Sequence, residues 1–236
     1  MEEIRINKYL ASLGVASRRE IDRYIEEGRV SVSGVKINQG VKVTEKDKIL
    51  IDGKPVKVEK TKKVYYMLNK PSGVLSTAKD DRGRKTVVDI VKSPERIFPI
   101  GRLDMDTEGL ILLTNDGELF NRLMHPKAEI YKEYNVVAKY EIKDKDIHQL
   151  KIGVKLEDGK TLPARVRILK RDGGKTYLKI AIREGRNRQI RRMLEAIGHP
   201  VVSLTREKIA ELELGQLKVG EYRELTPKEV RYLYSL

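Results

Sequence analysis

Residues 101–117 read GRLDMDTEGLILLTNDG, a polar loop bounded by glycines and followed by an apolar run. The run predicts a buried strand over residues 109–113, and a rigid strand can hold the preceding loop so that a carboxylate projects into a cleft. Asp104 and Asp106 are the carboxylates of this loop. The more common alternative is a turn that caps itself through side-chain bonds to its own backbone. A calcium site is not favoured, because no further ligands follow at calcium-loop spacing.

Short strand patterns surround this loop and predict a large α+β unit. They cover residues 64–68, 134–138, 165–169 and 177–182. One helix is well marked, because Ile190, Met193, Leu194 and Ile197 recur at helical spacing and Gly198 follows as a stop.

The first sixty residues predict a smaller unit with two helices and then a short β structure. Ile6, Leu10 and Leu13 have helical spacing, and Ser17 with Glu20 forms the pattern of a capping box that starts a second helix. Strand patterns follow at residues 29–32, 35–43 and 49–51. A charged segment at residues 58–63 predicts a boundary between domains 1–60 and 61–236.

The composition favours a polyanionic partner. Lys and Arg number 49 against 35 Asp and Glu, which gives a net charge of +14 and makes nucleic acid the first candidate. The chain has no cysteine and only three histidines without ligand spacing, so we expect neither disulfides nor a metal site. Neither a signal peptide nor a long apolar run is apparent, so we expect a cytoplasmic protein that does not bind membranes.

Two arginine-rich segments are candidate anion sites. Arg18 and Arg19 fall in the first turn of the second predicted helix, where cations oppose the helix dipole unless an anion binds there. Residues 184–192, EGRNRQIRR, lead into the well-marked helix. Arg191 flanks its apolar stripe, from where it could hold a carboxylate across a cleft. A solvated basic surface, or simple phosphate binding by the second segment, is the alternative.

The N-terminal pattern RINKYLASLGVASRRE, followed by IEEGRVSVSG, resembles the S-four RNA-binding domain. The resemblance covers about residues 2–60. It implies contacts to the RNA backbone by six side chains, which are those of Arg5, Lys8, Ser17, Arg18, Arg19 and Arg29. It does not imply catalysis, since this domain accompanies enzymes and non-enzymes alike.

The motifs GRLDMDTEGLILLTNDG, MHP, KEY and EGRNRQIRRM, with NKPSGV near residue 70 and DDRGRKTVVD near residue 85, resemble the ribosomal pseudouridine synthases that carry an S-four domain, most closely the large-subunit branch. The resemblance implies that Asp104 is the nucleophile, that Tyr134 stacks on the target base, and that Arg191 pairs with Asp104. It also implies a catalytic domain with a central mixed, mainly antiparallel sheet flanked by helices, and no cofactor or metal.

Several expectations complete this interpretation. Arg102, Arg186 and Arg188 are counted as RNA contacts beside the catalytic residues, and the partner is ribosomal RNA, free or in a pre-ribosomal particle, bound by a monomer that needs no protein partner. A non-catalytic assembly factor and an RNA methyltransferase are the alternatives. The first would not need Asp104, Tyr134 and Arg191 together, and the second lacks a glycine-rich cofactor loop. Whether Asp104 attacks covalently or acts as a base on the sugar stays open.

Overall fold

The computed structural model describes residues 3–57 and 61–236. Its contacts group into two compact units, one built on the N-terminal residues up to Val64, with the short segments Ser93–Arg96 and Asn115–Gly117, and one built on most of the rest. Residues 58–60 of the predicted linker lie outside the described residues, so the predicted boundary at residue 60 stays a prediction. None of the described helices is both long and apolar enough to cross a membrane.

The N-terminal unit has the predicted order of two helices followed by short strands, with an additional two-residue strand in front. Its elements are β1 (Ile4–Arg5), α1 (Ile6–Ser12), α2 (Arg18–Glu26), β2 (Val30–Val32), β3 (Val35–Lys36), β4 (Lys42–Val43), β5 (Ile49–Ile51) and β6 (Lys54–Pro55). In the described part of this unit, β3, β2, β5 and β6 form one sheet and β1 pairs with β4. Ile6, Leu10, Ile21 and Ile25 bring the apolar sides of both helices into one core.

Two local predictions in this unit are wrong in detail. Ser17 does cap α2, because its hydroxyl accepts a hydrogen bond from the Glu20 amide at 3.1 Å. The Glu20 carboxylate does not complete a capping box, since it lies beside the Tyr24 hydroxyl at 3.4 Å and Arg23 at 3.6 Å. The predicted strand 35–43 is divided into β3 and β4, and Gly40 between them has a φ of +86°.

The larger unit is the predicted α+β domain. Its elements are β7 (Tyr65–Lys70), α3 (Val87–Ile90), β8 (Phe98–Ile100), β9 (Glu108–Thr114), α4 (Gly117–Met124), a 3-10 turn (Pro126–Ala128), β10 (Lys132–Lys139), α5 (Asp144–Ile152), β11 (Lys155–Leu156), β12 (Gly159–Lys160), β13 (Arg165–Asp172), β14 (Lys175–Ile182), α6 (Gln189–Ala196), β15 (Val201–Ile209), β16 (Leu212–Glu213), β17 (Tyr222–Glu224) and α7 (Pro227–Ser235). The sheet order is β13-β14-β10-β15-β9-β7-β17, with β8 on β9 and β16 on β15. Within the described residues of this sheet, only the β9–β15 pairing is parallel, so the predicted mixed, mainly antiparallel sheet is confirmed.

Strand β9 lies at the centre of this unit, and its apolar run explains why. Residues Leu110 and Leu112 pack with α4 and α7, through Leu119, Leu123 and Leu233, in one buried cluster. Every residue from Gly109 to Thr114 is buried, as expected for a strand covered on both faces. The strand is therefore a rigid support for the loop that precedes it.

The parallel pairing of β9 and β15 requires a glycine. Gly109 lies opposite Arg206 and has a φ of +110°. A Cβ atom at position 109 would lie 2.3 Å from the carbonyl oxygen and 2.5 Å from the nitrogen of Arg206. Backbone atoms cannot move aside as a flexible side chain would, so the two strands can meet here only if residue 109 has no side chain.

We expect Gly109→Ala to lower the free energy of unfolding by about 3 kcal/mol or more, because backbone strain and overpacking add at this position. The matched control is Gly173→Ala, in the β13–β14 turn, where φ is +56° and nothing lies within 4 Å of the added Cβ. That variant should lose about 1 kcal/mol, from strain alone. Urea unfolding followed by circular dichroism measures both, and equal losses would contradict the close-approach argument.

Candidate active site

A cleft of about 310 Å³ lies over one face of the larger unit's sheet. This volume is at the lower end of the range for small-molecule sites. Much of its lining comes from the loop before β9, the segment that leads into α6, and side chains of β10 and β15. Among the lining residues are Gly101, Arg102, Leu103, Asp104, Lys132, Tyr134, Arg186, Arg188, Leu204, Arg206 and Ile209.

The loop before β9 is held by the segment that follows β7. Lys70 is fully buried, and its ammonium donates hydrogen bonds to the carbonyl oxygens of Pro71 (2.9 Å), Val74 (2.8 Å) and Met105 (3.3 Å). The Ser76 hydroxyl donates to the carbonyl of Leu103 at 2.8 Å and accepts from its amide at 3.1 Å. The backbone on both sides of Asp104 is therefore fixed.

The buried ammonium of Lys70 titrates closer to neutral pH than a surface lysine. Burial is the main cause that lowers its pKa to about 8, and the positive charge of Arg206 adds to it. The carboxylates of Glu108, Asp106 and Asp104 oppose this shift. Loop carboxylates and loop carbonyls thus help to keep the charge of Lys70 at neutral pH.

Asp104 has the environment expected of a reactive carboxylate. It is half-buried and lines the cleft. Within residues 3–57 and 61–236, no group donates a hydrogen bond to its carboxylate, and no cation lies within ion-pair distance. The turn that follows it is closed by a backbone bond, from the Thr107 amide to the Asp104 carbonyl at 3.1 Å. The alternative of a turn capped by the Asp104 side chain is therefore not what the structure has.

The predicted pairing of Arg191 with Asp104 is not present. Arg191 instead donates from Nη2 to the backbone carbonyl of Asp106 at 2.9 Å, and its Nε lies 3.4 Å from the Asp106 carboxylate. Arg188 completes the arrangement with two bonds to that carboxylate, at 2.9 and 3.0 Å. The bond from Arg188 is the main cause that lowers the pKa of Asp106. Two arginines spaced three residues apart at the start of α6 lie on one side of the helix, and the turn after Asp104 presents residue 106 to both.

Tyr134 lies where the resemblance predicts an aromatic side chain. It is 8% exposed, belongs to β10, and lines the cleft. Its neighbours across the sheet are Arg206 on β15 and Ile180 on β14. The structure thus brings Asp104 and Tyr134 to the same cleft. Arg191 does not line this cleft and contacts the same loop at Asp106.

The three other arginines predicted near the cleft differ in their availability. Arg102 is exposed at the cleft and has no ion pair among the described residues. Arg188 is occupied by Asp106. Arg186 does not lie free for phosphate, because its guanidinium binds Glu184 at 3.1 Å and donates to three carbonyl groups of the β11–β12 turn, those of Asp158, Gly159 and Lys160.

The residues predicted to bind RNA in the N-terminal unit also divide into two groups. Arg5, Lys8, Arg18 and Arg19 are exposed. Arg29 is not free, since it makes two bonds to Asp52 at 2.6 and 2.8 Å and one to Glu27 at 3.1 Å, and it lies 4.2 Å from the centre of the Tyr24 ring. Ser17 uses its hydroxyl as the cap of α2.

Three cations at the site were not predicted, namely Lys70, Lys132 and Arg206. Lys70 belongs to the quoted segment NKPSGV and Lys132 to the quoted KEY, but their burial could not be inferred. Arg206 had a weak signal, because it alternates with Leu204 on the apolar side of a strand pattern. A charged residue on a buried strand face is uncommon and marks a partner or a ligand.

Comparisons with known proteins give the family to which this sequence is similar. A family model described as RNA pseudouridylate synthase matches residues 64–196, and one described as S4 domain matches residues 4–49. The chain is 50% identical to ribosomal large subunit pseudouridine synthase B of Bacillus subtilis, over 98% of this chain and 96% of that protein. It is 44% identical to an RNA pseudouridine synthase of Aquifex aeolicus, over 100% of this chain and 95% of that protein.

A solved structure agrees with the fold. A crystal structure of a pseudouridylate synthase matches with a TM-score of 0.71 and 31% identity, over 98% of this chain and 99% of that one. The resemblance drawn from the motifs is thereby confirmed for both parts of the sequence. With an S4 domain at its N-terminal end, the chain belongs to the family of RNA pseudouridylate synthases.

Proposed function

We propose that this protein converts a uridine of large-subunit ribosomal RNA into pseudouridine, with Asp104 as the residue that acts on the ribose. The observation that carries the proposal is the carboxylate of Asp104, which lies unpaired in a cleft beside Tyr134. The name of the Bacillus subtilis relative supports the choice of large-subunit RNA. The reaction consumes no external reagent, in keeping with the expectation of no cofactor.

The chemistry requires a carboxylate that can reach the sugar. The bond between C1′ of the ribose and N1 of the uracil breaks, the base turns, and C1′ is joined to C5 of the base. Asp104 can form an ester with C1′ as the base departs, or it can take the proton from C2′. Both routes need an ionised carboxylate without a bound partner, which suits Asp104 better than Asp106, whose oxygens are occupied by Arg188.

Tyr134 is the proposed platform for the target base. The base must leave the RNA stack to enter the cleft, which costs a few kcal/mol. A buried aromatic ring provides stacking in exchange and limits the freedom of the detached base. Because Tyr134 is fixed in the centre of the sheet between β14 and β15, its ring can keep the base near C1′ while it turns.

Arg191 is better described as a positioning residue than as a direct partner of Asp104. It holds the backbone carbonyl of Asp106, two residues beyond Asp104. Together with Arg188 it holds the loop at Asp106, while Lys70 and Ser76 hold it at the carbonyls of Met105 and Leu103. Small displacements of a catalytic group cost large factors in rate, so this support is expected to matter for turnover.

The proposed RNA contacts follow from which cations are exposed to solvent. Arg5, Lys8, Arg18 and Arg19 are exposed in the N-terminal unit, and Arg102 is exposed at the cleft. We propose that residues 1–60 provide affinity by binding phosphates, while residues 61–236 perform the chemistry. Arg29 and Arg186 are assigned to structure instead, because carboxylates and carbonyls occupy them.

The nucleophile can be tested with two neighbouring carboxylates. Asp104→Asn should lower the single-turnover rate on saturating RNA by at least about 10³-fold, because the amide neither attacks nor accepts the proton. Asp106→Asn should lose about tenfold, because the loop is loosened but the backbone bond to Arg191 stays. Release of tritium from RNA labelled at C5 of uridine reports the rate. Comparable losses in the two variants would contradict the assignment of Asp104.

The positioning role of Arg191 predicts a pattern of rates. Arg191→Ala should lower the single-turnover rate by about 10- to 100-fold at saturating RNA, and Arg191→Lys should restore only part, because a planar fork is lost. Adding Asp106→Asn to Arg191→Ala should cost little more, since both act on one loop. The control is Arg192→Ala, on the same helix, whose guanidinium binds the Asp158 carboxylate and the Asn187 carbonyl rather than the loop before β9. If the rate losses of Arg191→Ala and Asp106→Asn combined fully in the double variant, the two residues would not share a function.

The proposed phosphate contacts predict a change in salt dependence. Replacing Arg18 and Arg19 together by Ala should weaken RNA binding and lower the slope of log affinity against log salt by about 1.4 to 1.8, or 0.7 to 0.9 for each lost contact. The helix should persist, because Ser17 remains as its cap. Arg23→Ala on the same helix is the control, since Arg23 lies beside Glu20 and Glu27. Filter binding over a salt series measures both, and an unchanged slope in the double variant would overturn the proposal.

A further inference from the structure

Three polar side chains on neighbouring strands share the face of the sheet that forms the floor of the cleft. Lys132 and Tyr134 are two residues apart on β10, and Arg206 on β15 lies directly opposite Tyr134. Side chains two apart on a strand project to the same face, and opposite residues have Cβ atoms about 4.5–5.5 Å apart. All three line the cleft in which Asp104 lies. Tyr134 has a proposed role, whereas the two cations beside it have none.

Arg206 is only partly satisfied by the protein. It is 2% exposed, and its Nε donates to the carbonyl oxygen of Leu110 at 2.7 Å. Its Nη2 is buried and has no acceptor within the described residues. A guanidinium has five N–H donors, and a buried donor without an acceptor is costly. The hydrogen bond to the Leu110 carbonyl accounts for the burial of Nε, but no contact among the described residues accounts for the burial of Nη2.

Lys132 has an ammonium without a partner. It is half-buried, and over residues 3–57 and 61–236 its side chain has neither a hydrogen bond nor an ion pair. Burial lowers its pKa, and the positive charge of Arg206 lowers it further. The neighbouring carboxylate of Glu133 projects to the opposite face of the sheet and binds Lys179 at 2.7 Å. The two adjacent cations therefore repel each other, and an anion bound between them would relieve that repulsion.

The walls around these cations are apolar. Ile130, Ile182, Leu204 and Ile209 line the same part of the cleft. Charge interactions are stronger in such surroundings than in water, and donors fixed in place need no rearrangement when charge develops. The arrangement of a ring platform, apolar walls and two fixed cations suits a flat ring that carries negative charge on its carbonyl oxygens.

We propose that Arg206 and Lys132 bind the detached uracil as an anion and are therefore catalytic residues that stabilise the departing base. This inference rests on the proposed function. When the bond between C1′ and N1 breaks, its electron pair leaves with the base, and the charge spreads over N1 and the two carbonyl oxygens. Nη2 of Arg206 and Nζ of Lys132 donate hydrogen bonds to these oxygens.

The same charge arises on both routes open to Asp104. On one, a carboxylate oxygen bonds to C1′ as the base leaves; on the other, the carboxylate takes the C2′ proton. When C5 then joins C1′, the ring supplies the electron pair, and the ester bond breaks or the proton returns to C2′. The proton lost from C5 is balanced by one gained at N1. The negative charge of the base therefore exists only between the two bond changes, which is where fixed cations accelerate the reaction.

Binding of free ring compounds to the whole protein tests the anion site without any turnover. The probes are uracil, which is neutral at pH 7, and barbiturate, a uracil-shaped ring that is an anion at that pH. Ligand-observed NMR titrations should show barbiturate bound about tenfold tighter than uracil, as expected for hydrogen bonds to charged donors. Lys132→Met should remove most of this preference, and it should fold because no partner is lost.

Two further variants sharpen the binding experiment. Arg206→Gln should also lose the preference, provided that its unfolding curve shows a native fold, since the bond to Leu110 is removed. Lys208→Gln is the matched control on β15, because Lys208 contacts Glu211 and Glu213 and does not line the cleft. It should keep the preference. Equal binding of both rings by the unaltered protein, or a preference that survives Lys132→Met, would overturn the anion site.

A second measurement links the site to catalysis. In RNA that carries 5-fluorouridine at the target position, the fluorine itself stabilises the base anion. The rate loss caused by Lys132→Met should therefore be about tenfold smaller with this RNA than with RNA that carries uridine. Consumption of the target nucleoside, followed by mass spectrometry, is measured for both RNAs. An equal impairment with both would overturn the inference. Asp104→Asn should fail with both RNAs. Failure of the unaltered protein on ribosomal RNA would refute the proposed function. In that case the ring-binding result would still decide whether the anion site exists.

Discussion

The parallel contact between β9 and β15 at Gly109 and Arg206 determines how the rest of the site is arranged. The backbones approach so closely that residue 109 has no room for a Cβ atom. Asp104 lies five residues before this contact, in the loop that leads into β9, and Arg206 lies at the contact on β15. Because β15 also pairs with β10, the same strand places Tyr134 beside Arg206. One close approach thus fixes Asp104, Tyr134 and the buried Arg206, to which we have assigned roles in the proposed reaction, relative to one another.

Two carboxylates two residues apart in the same loop have different environments, and the difference explains their roles. Asp106 is exposed and occupied by Arg188 and Arg191, which makes it a point of attachment for the loop. Asp104 is half-buried, and no group in the described part of the chain binds its carboxylate oxygens. The arginines that the motif brings close therefore bind residue 106 and, within the described residues, leave the proposed nucleophile Asp104 unpaired. A carboxylate in a direct two-bond pair with arginine would have to break that pair before it could attack.

The sequence predicted much of this molecule because its strongest signals are local. The apolar run of β9, the spacing of Ile190, Met193 and Leu194 in α6, and the cap at Ser17 each depend on a few adjacent residues. The motifs also identified the family and the fold class. Helices α4, α5 and α7 were missed because each buries at most two apolar side chains, whereas α6, at eight residues, buries three. The Thr226 and Glu229 capping box, present in the structure, was a usable signal for α7.

The remaining features depend on contacts between distant parts of the chain. Whether Arg191 reaches residue 104 or 106 is set by the turn between them and by how α6 packs, and neither is encoded in the motif letters. The free Nη2 of Arg206 follows from the meeting of three strands, so its environment becomes apparent only in the folded sheet.

The two groups of cations in this chain also differ in how strongly solvent acts on them. Exposed arginines such as Arg18 and Arg19 interact through water, so salt would screen the RNA contacts proposed for them. Arg206 is buried and Lys132 half-buried beside apolar side chains of the cleft, so salt screens them less than the exposed arginines. A large formal charge of +14 therefore contains two functions that composition alone cannot separate. In the proposed function the exposed cations attract and retain a polyanion. The buried cations would act over a few ångströms on charge that exists only while the base is detached.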